Sequence, residues 1–364
     1  MSISSAGLKV SRKNGEKFRK ALVNLGLFDP KKKIRADQSH IYLPIQIQNI
    51  DDHLSEGVFE DILESFQKEA LQILRSLGDF SVVDIEFEKK VLPISAEDLL
   101  GFRPHFEIVG DIAIVDCDEG VDEEKVASAL MKVHKNVKTV IAPISPVEGE
   151  FRTRRFRHLA GERKTATLHK EHGLKYGLDL ETVYFTPRLG TERKRLAKLI
   201  RPTETVLDMF AGVGPFALLL ASKGAKVIAI DKNPEAVKYL RENAANNRIE
   251  EIEILEGDAF QLSKRYQNQA DHIIMNLPHE AFHFLLPAIN AVKDGGIVHY
   301  YSMSPEDDLY GEDRRHIEDA AQQAGAEVRI LYQGIVRSYA PHQYNVVIDF
   351  QIIRGYAVDQ KYLR

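Results

Sequence analysis

Apolar and polar positions change rhythm about halfway along the chain. From Thr191 onward, short apolar runs alternate with stretches whose apolar residues recur every three or four positions, which is the signature of parallel βαβ units. The pattern predicts helix 192–200, strand 205–208 with helix 216–223, strand 226–230 with helix 234–246, strand 252–255 with a turn at Gly257 and Asp258, and strand 272–275 with helix 281–292. It closes with strand 297–301, a helix over 313–324, and strands 327–336 and 344–353 joined through 338–342. Dehydrogenase-type sheets do not usually end in such a hairpin.

Earlier positions alternate less regularly. Residues 1–72 read as a small α/β unit, with a helix over 16–25, an alternating strand over 40–47 and a second helix near 59–74. A turn at 77–79 leads to strands 82–87, 106–109 and 113–115, with a Pro-containing stretch over 92–104 and a hairpin turn at Gly110 and Asp111. Helix 123–134, strand 139–142 and alternating segments 165–169 and 174–178 follow. A chain of 364 residues exceeds what one hydrophobic core supports. The expected class is therefore α/β, with a doubly wound sheet over 179–364 that ends in an antiparallel hairpin, preceded by two smaller α+β domains, 1–72 and 80–178.

Composition alters this picture in one respect. With 44% hydrophobic and 28% charged residues the chain is globular, and no apolar run approaches membrane-spanning length. The N-terminal residues lack the apolar stretch of a signal peptide, and the lone Cys117 excludes an internal disulfide framework, so a cytoplasmic protein is expected. The net charge of −5 conceals segregation: ten Lys/Arg against two acids lie between Lys9 and Arg35, and fourteen against five between Phe151 and Arg201. One basic run usually only solvates a helix, but two in an acidic chain point to a polyanionic partner.

The candidate chemistry sits at strand ends. Asp208-Met-Phe210-Ala-Gly212-Val-Gly214-Pro lies between a strand and a helix, where glycines let the backbone turn tightly beside a ligand. Asp231 ends the next strand, where a carboxylate can accept from both hydroxyls of a ribose, and Asp258 follows the third, within reach of an adenine amine or serving merely as a turn-former. Asn276-Leu-Pro278-His279 follows the fourth strand. An Asn side chain, with the carbonyl freed beside a proline, can hold the N–H groups of a base edge in plane. His279 and His283 have a metal-ligand spacing, but with no third ligand nearby no metal is expected.

Strand-end carboxylates, the glycine turn and the terminal hairpin resemble the class I S-adenosylmethionine methyltransferases, and Asn276-Leu-Pro278-His279 resembles the Asn-Pro-Pro-aromatic turn of enzymes that methylate a planar amide or amidine nitrogen. In order, Glu-Phe-Arg152-Thr-Arg, Val-Tyr184-Phe-Thr-Pro-Arg188-Leu-Gly-Thr-Glu192-Arg193, the glycine turn and Asn276-Leu-Pro278-His279 resemble the archaeal and eukaryotic tRNA (guanine-37 N1) methyltransferases over the whole chain, most weakly over its first seventy residues. That resemblance implies a Rossmann-like methyltransferase sheet, S-adenosylmethionine as cofactor, and tRNA as partner, held at the elbow by the first domain and at the anticodon arm by the others. A monomer with no obligatory protein partner is expected. The resemblance also implies roles for Glu192 as general base, Arg152 as the partner of guanine O6, Asn276 on the N1/N2 edge and Tyr184 near the methyl donor. Tyr184, Asp208, Phe210, Gly212, Gly214, Asp231, Asp258, Asn276 and Pro278 are then expected around the cofactor, and Arg152, Arg188, Arg193 and His279 around the substrate.

The chemistry alone asks for such a set. Guanine N1 carries a proton and is a poor nucleophile until a base accepts it and a cation stabilises the charge on O6. By itself, without the resemblance, Glu192 reads sooner as an N-terminal helix residue favoured by the dipole, with Thr191 as cap. Alternatives are a wyosine-pathway enzyme acting on modified guanine-37, whether a tricyclic-base methyltransferase or an aminocarboxypropyl transferase, a bifunctional enzyme, an NAD-dependent dehydrogenase and a non-catalytic tRNA-binding module. The Asn276-Leu-Pro278-His279 turn argues against the transferase, whose family lacks it, and cofactor titration separates the last two.

Overall fold

The computed structural model describes residues 2–46, 68–90, 94–147 and 149–355, and the chain divides into two compact units, Met1–Ile94 and Ser95–Arg364. Among the described residues no helix is long and apolar enough to cross a membrane.

The first unit is a four-stranded antiparallel sheet, ordered β2-β3-β1-β4, from β1 (Ser2–Ser11), β2 (Arg35–Ala36), β3 (His40–Pro44) and β4 (Phe80–Glu88). Helix α1 (Gly15–Asn24) buries Phe18 and Leu22, one turn apart, against Leu8, Val10, Leu43 and Leu74, the last from helix α2 (Lys68–Ser76). Its other face, with Lys17 and Lys20, is exposed, as are Arg12, Lys13, Lys31 and Arg35. The strand expected over 82–87 pairs with β1, so this unit runs on to Ile94. Of the helix expected near 59–74, residues 59–67 lie outside the described residues.

The second unit opens with α3 (Ala96–Leu100), inside the stretch expected to be irregular, where Ser95 and Asp98 form a reciprocal capping box. A four-stranded sheet follows from β5 (His105–Val109), β6 (Ile112–Asp116), β7 (Thr139–Pro143) and β8 (Phe156–Gly161); α4 (Glu123–Val133) bridges the parallel pair β6–β7 and buries Val126 and Leu130 on it. Hairpin β9 (Ala166–Glu171) and β10 (Leu174–Asp179) leads to α5 (Gly190–Leu199).

The seven-stranded sheet has the order β13-β12-β11-β14-β15-β17-β16, from β11 (Thr205–Asp208), β12 (Lys226–Asp231), β13 (Ile252–Glu256), β14 (Ala270–Met275), β15 (Val292–Pro305), β16 (Glu327–Ala340) and β17 (Gln343–Ile353). The first five are parallel, and β17 inserts antiparallel between β15 and β16. This is the doubly wound sheet with a terminal hairpin that the pattern predicts, although the hairpin is tighter, turning at Pro341 and His342. One apolar layer contains Leu196 of α5, Leu218 of α6 (Ala217–Ala221) and Leu240 of α7 (Pro234–Asn246); the other contains Ala259 of α8 (Ala259–Leu262), Ile289 of α9 (Leu285–Ala291) and Ile317 of α10 (Gly311–Gln323). The helix expected over 281–292 begins as a 3-10 turn and becomes α9 only at Leu285. Pro287 lacks the N–H that a continuous α-helix needs and would crowd the preceding turn.

Candidate active site

The carboxyl ends of β11, β12, β13 and β14 open on one cavity, lined among others by Phe210, Gly212, Asp231, Asp258, Asn276 and Pro278. Its cofactor-type half is fixed by backbone. Asp231 Oδ2 accepts from the Gly212 amide at 2.7 Å and Oδ1 from the Asn233 amide at 2.9 Å, while burial pushes the Asp231 carboxyl above its ordinary range. Gly212 and Gly214 both have positive φ, 55° and 92°, for different reasons. A Cβ on Gly212 would meet nothing closer than Tyr184 O at 3.9 Å, leaving room for a ligand, whereas one on Gly214 would sit 2.3 Å from Leu240 Cδ1. Gly214 is thus a packing glycine and does not line the cavity.

Asp208 lies one residue before the lining. It is buried, Oδ1 accepts from the Phe210 amide at 3.4 Å, and Oδ2 has no partner among the described residues. Burial, with the Asp231 charge nearby, pushes this carboxyl up to about 7. Asp258 caps α8 through the Phe260 amide at 2.7 Å and also lines the cavity, so it serves as a turn-former and faces the site at once.

The other half of the cavity is assembled from distant segments. Arg152 adopts φ 53°, a left-handed conformation uncommon outside glycine, and sets its guanidinium 5.0 Å from the Tyr184 ring. Both line the cavity with Asn276. The expectation of a freed carbonyl beside the proline does not hold: Leu277 O accepts from the Glu280 and Ala281 amides, and Pro278 O from Met303 N. The Asn276 side chain, which lines the cavity, is placed to hold a ligand's N–H. His279 is exposed beside the lining, its ring against Tyr339; partial burial and the Arg152 charge lower its pKa.

Of Glu192, Arg188 and Arg193, only Arg193 lines the cavity. Glu192 is buried outside the lining, with its carboxylate accepting from Arg195 at 2.7–3.0 Å and from the Tyr301 hydroxyl at 2.7 Å. Arg193 touches the cavity, yet it is 1% exposed and closes its fork on Glu171 at 2.6 Å, with a further bond to Thr186 O. Arg188 pairs with Glu107 at 2.7 Å, and Thr186 donates to the same carboxylate. These bonds anchor the Tyr184–Thr186 wall to β5 and β9, and no sequence spacing announced Glu107 or Glu171. The terminal hairpin adds Arg337 and Asn345 to the lining; an arginine among the apolar residues of β16 is the only signal that could have marked it. Lys232, also lining, is paired with Glu150. Among the described residues no group of three or more His, Cys, Asp or Glu is placed to hold a metal.

Residues 167–331 match the TRM5/TYW2 methyltransferase domain, 89–165 the TYW2 N-terminal domain and 7–52 the tRNA methyltransferase 5 N-terminal domain. The chain is 39% identical over 349 residues to the tRNA (guanine(37)-N(1))-methyltransferase Trm5b of Pyrococcus abyssi, covering 95% of this chain and 98% of that one. Its fold is similar to that of aTrm5 in a complex with tRNALeu, with TM-score 0.63, 31% identity, and 95% and 99% of the two chains covered. It is also similar to Methanocaldococcus jannaschii Trm5 in complex with adenosine, with TM-score 0.58, 31% identity, and 96% and 100% covered.

Proposed function

The chain belongs to the TRM5/TYW2 methyltransferase family, and on that premise we propose that it methylates N1 of guanine-37 in tRNA, using S-adenosylmethionine. One observation carries the reading: a single cavity is lined both by the glycine turn with Asp231 and Asp258 and by Arg152, Tyr184 and Asn276. The residues present fit the cofactor. Gly212 has open space where a Cβ would stand, Asp231 ends its strand beside it, Asp208 keeps an unpartnered buried oxygen, and Phe210 and Pro278 supply apolar walls. When bound, the cofactor supplies an electrophilic methyl group on a sulfonium.

The chain's own residues then prepare the nucleophile. The Asn276 side chain orients the base edge, and the Arg152 guanidinium, held against Tyr184, balances negative charge on O6 as the N1 proton departs. Glu192 is the proposed acceptor of that proton, which requires its carboxylate to turn from Arg195 toward the base; catalytic bonds often form only once substrate is bound. Arg193 and Arg188 act on the substrate indirectly, by fixing the Tyr184 wall through Glu171 and Glu107. The basic face of the first unit is proposed to meet the elbow of a tRNA bound by a monomer, and residues 95–364 its anticodon arm.

Incubation with unmodified tRNA and labelled S-adenosylmethionine, followed by nucleoside analysis, tests the reading: label is expected in 1-methylguanosine. Removing residues 1–94, a cut that respects the β1–β4 pairing, should weaken tRNA binding and its salt dependence while transfer persists at saturating tRNA. A second reading is favoured by the match of 89–165 to the TYW2 N-terminal domain, namely action on a tricyclic derivative of the same guanine. Label in a wyosine derivative when the tRNA offered already carries the tricyclic base, with none in 1-methylguanosine from unmodified tRNA, would decide for it.

A further inference from the structure

A continuous belt of buried and half-buried polar side chains crosses the sheet to Glu192, and the methyl transfer leaves most of it unused. Glu204 Oε2 lies 3.3 Å from His272 Nε2, His272 Nδ1 lies 3.1 Å from His299 Nε2 with the two rings stacked, and His299 Nδ1 lies 2.8 Å from Asp349 Oδ1. Asp349 accepts from Arg195 at 2.6 and 3.2 Å, and the same guanidinium donates to Glu192, which also accepts from Tyr301. The three strand residues come from β14, β15 and β17, where the register sets Asp349 directly opposite His299. His272, His299 and Asp349 are all below a tenth exposed, between apolar neighbours such as Ile273, Val298 and Ile348. Ionic groups are costly in such a place, and a sheet centre gains nothing in stability from them over apolar residues.

The charge count shows what the belt does. Arg195 is one cation between two carboxylates, and its other contact is the Tyr332 ring at 4.7 Å. Burial works against an ionised Asp349, yet His299 and Arg195 hold that carboxyl below its usual range. Asp349 is pinned from two sides, by His299 on the neighbouring strand and by Arg195, so it is the anion that stays, and Glu192, in the first turn of α5, the one free to leave. We propose that Asp349, fixed by His299, is a positioning residue for Glu192: it keeps Arg195 in place and neutralised, so that Glu192 can turn away and take a proton without stranding a half-buried, unpaired guanidinium. This inference rests on the reading of Glu192 as the general base.

The test is the pH profile of single-turnover methyl transfer at saturating unmodified tRNA and cofactor, for the unaltered protein and three variants, with thermal unfolding and cofactor affinity as checks of folding. Glu192→Gln should remove the ascending limb. Asp349→Asn leaves Glu192 as the sole anion on Arg195, so the plateau should fall about tenfold and the limb should move about one unit to lower pH. Arg195→Gln removes the cation and leaves two carboxylates facing each other, so the limb should move to higher pH, and the double variant should bring it back toward its starting point. Asp349→Ser carries the same expectation where the Asn variant does not fold. A merely structural role would lower the rate without moving the limb in opposite directions. If Glu192→Gln loses the limb while Asp349→Asn and Arg195→Gln leave it in place, the proposal is overturned and the base assignment stands. If Glu192→Gln keeps both rate and limb, the base assignment itself is wrong.

Discussion

Gly212 and Asp231 reach the cavity from consecutive strand ends and are tied by one backbone-to-carboxylate bond of 2.7 Å, whereas Arg152, Tyr184 and Asn276 arrive from three separate segments, and the Tyr184 wall is held by side-chain ion pairs. The cofactor half is thus built by the strand-to-helix turns of the sheet. On the substrate side the supports are ion pairs: Arg193 with Glu171, Arg188 with Glu107, Arg195 with Glu192 and Asp349. Damage to the first half should appear in stability and cofactor affinity together, because the same amides serve the fold and the site. Loss of the reacting groups of the second, Glu192 and Arg152, should appear mainly in rate, whereas loss of a buried support such as Arg193 should also cost stability.

The largest effect is expected on the substrate side. Glu192→Gln preserves size and some hydrogen bonding to Tyr301 but cannot accept the N1 proton, so the single-turnover rate should fall roughly 10²–10⁴-fold while cofactor and tRNA affinities hold. Arg152→Ala should also slow transfer, with Lys a partial rescue, since a point charge does not reproduce the planar fork. Rapid-quench measurement at saturating tRNA checks both; near-full rate in Glu192→Gln would move the base to another residue, with His279 the first to try.

Next comes the contrast between the two glycines. Gly214→Ala puts a Cβ at φ 92° and 2.3 Å from Leu240, so we expect about 2–4 kcal/mol of stability lost, read by denaturant unfolding. Gly212→Ala meets open space, so its cost should stay near the roughly 1 kcal/mol of the left-handed backbone, with cofactor affinity the property that suffers. Equal losses of stability in both would erase the distinction between a packing glycine and a ligand-facing one.

How much of this was legible in the sequence follows the same division. The βαβ alternation from Thr191, the glycine turn and the strand-end carboxylates were readable because short-range periodicity and turn chemistry determine them. Strand β8 and the early strand β1 were not, since pairing with β7, β3 and β4 makes them strands rather than any strong local pattern. Arg193 could be read as a substrate contact only because its partner Glu171 comes from another hairpin, which no spacing reveals. The belt through His272, His299 and Asp349 is invisible for the same reason: each residue stands alone in an apolar strand until the sheet order places them side by side.

Asp231→Ala tests whether fold and site share their bonds. Loss of a hydrogen-bonded charged group should weaken S-adenosylhomocysteine binding by about 1.5–3 kcal/mol, measured by calorimetry. An isolated strand-end carboxylate could be removed without harm to the fold. Here the Gly212 and Asn233 amides lose their acceptor, so a parallel, smaller drop in thermal stability without ligand is expected. Weakened binding with an unchanged melting temperature would show the amides finding water instead.

The smallest effect is expected at Asp208, and it depends on pH. Burial lifts this carboxyl from an ordinary 3.8 to about 7 in the folded chain. Between those values the unfolded chain has released the proton and the folded chain retains it, so folding takes up a proton and stability falls as pH rises through the window, levelling off above it. Asn at this position cannot ionise. Asp208→Asn should therefore raise the melting temperature of the ligand-free protein at pH 8 and leave it nearly unchanged at pH 4. Relaxation and water entry reduce the full cost of the shift, so we expect a gain of about 1–2 kcal/mol, or roughly 2–6 °C. Cofactor affinity should move the other way, because the unpartnered Oδ2 is a strong acceptor that an amide replaces poorly. A melting-temperature difference of the same size at pH 4 and pH 8 would show that Asp208 carries no buried charge and that its oxygen is solvated.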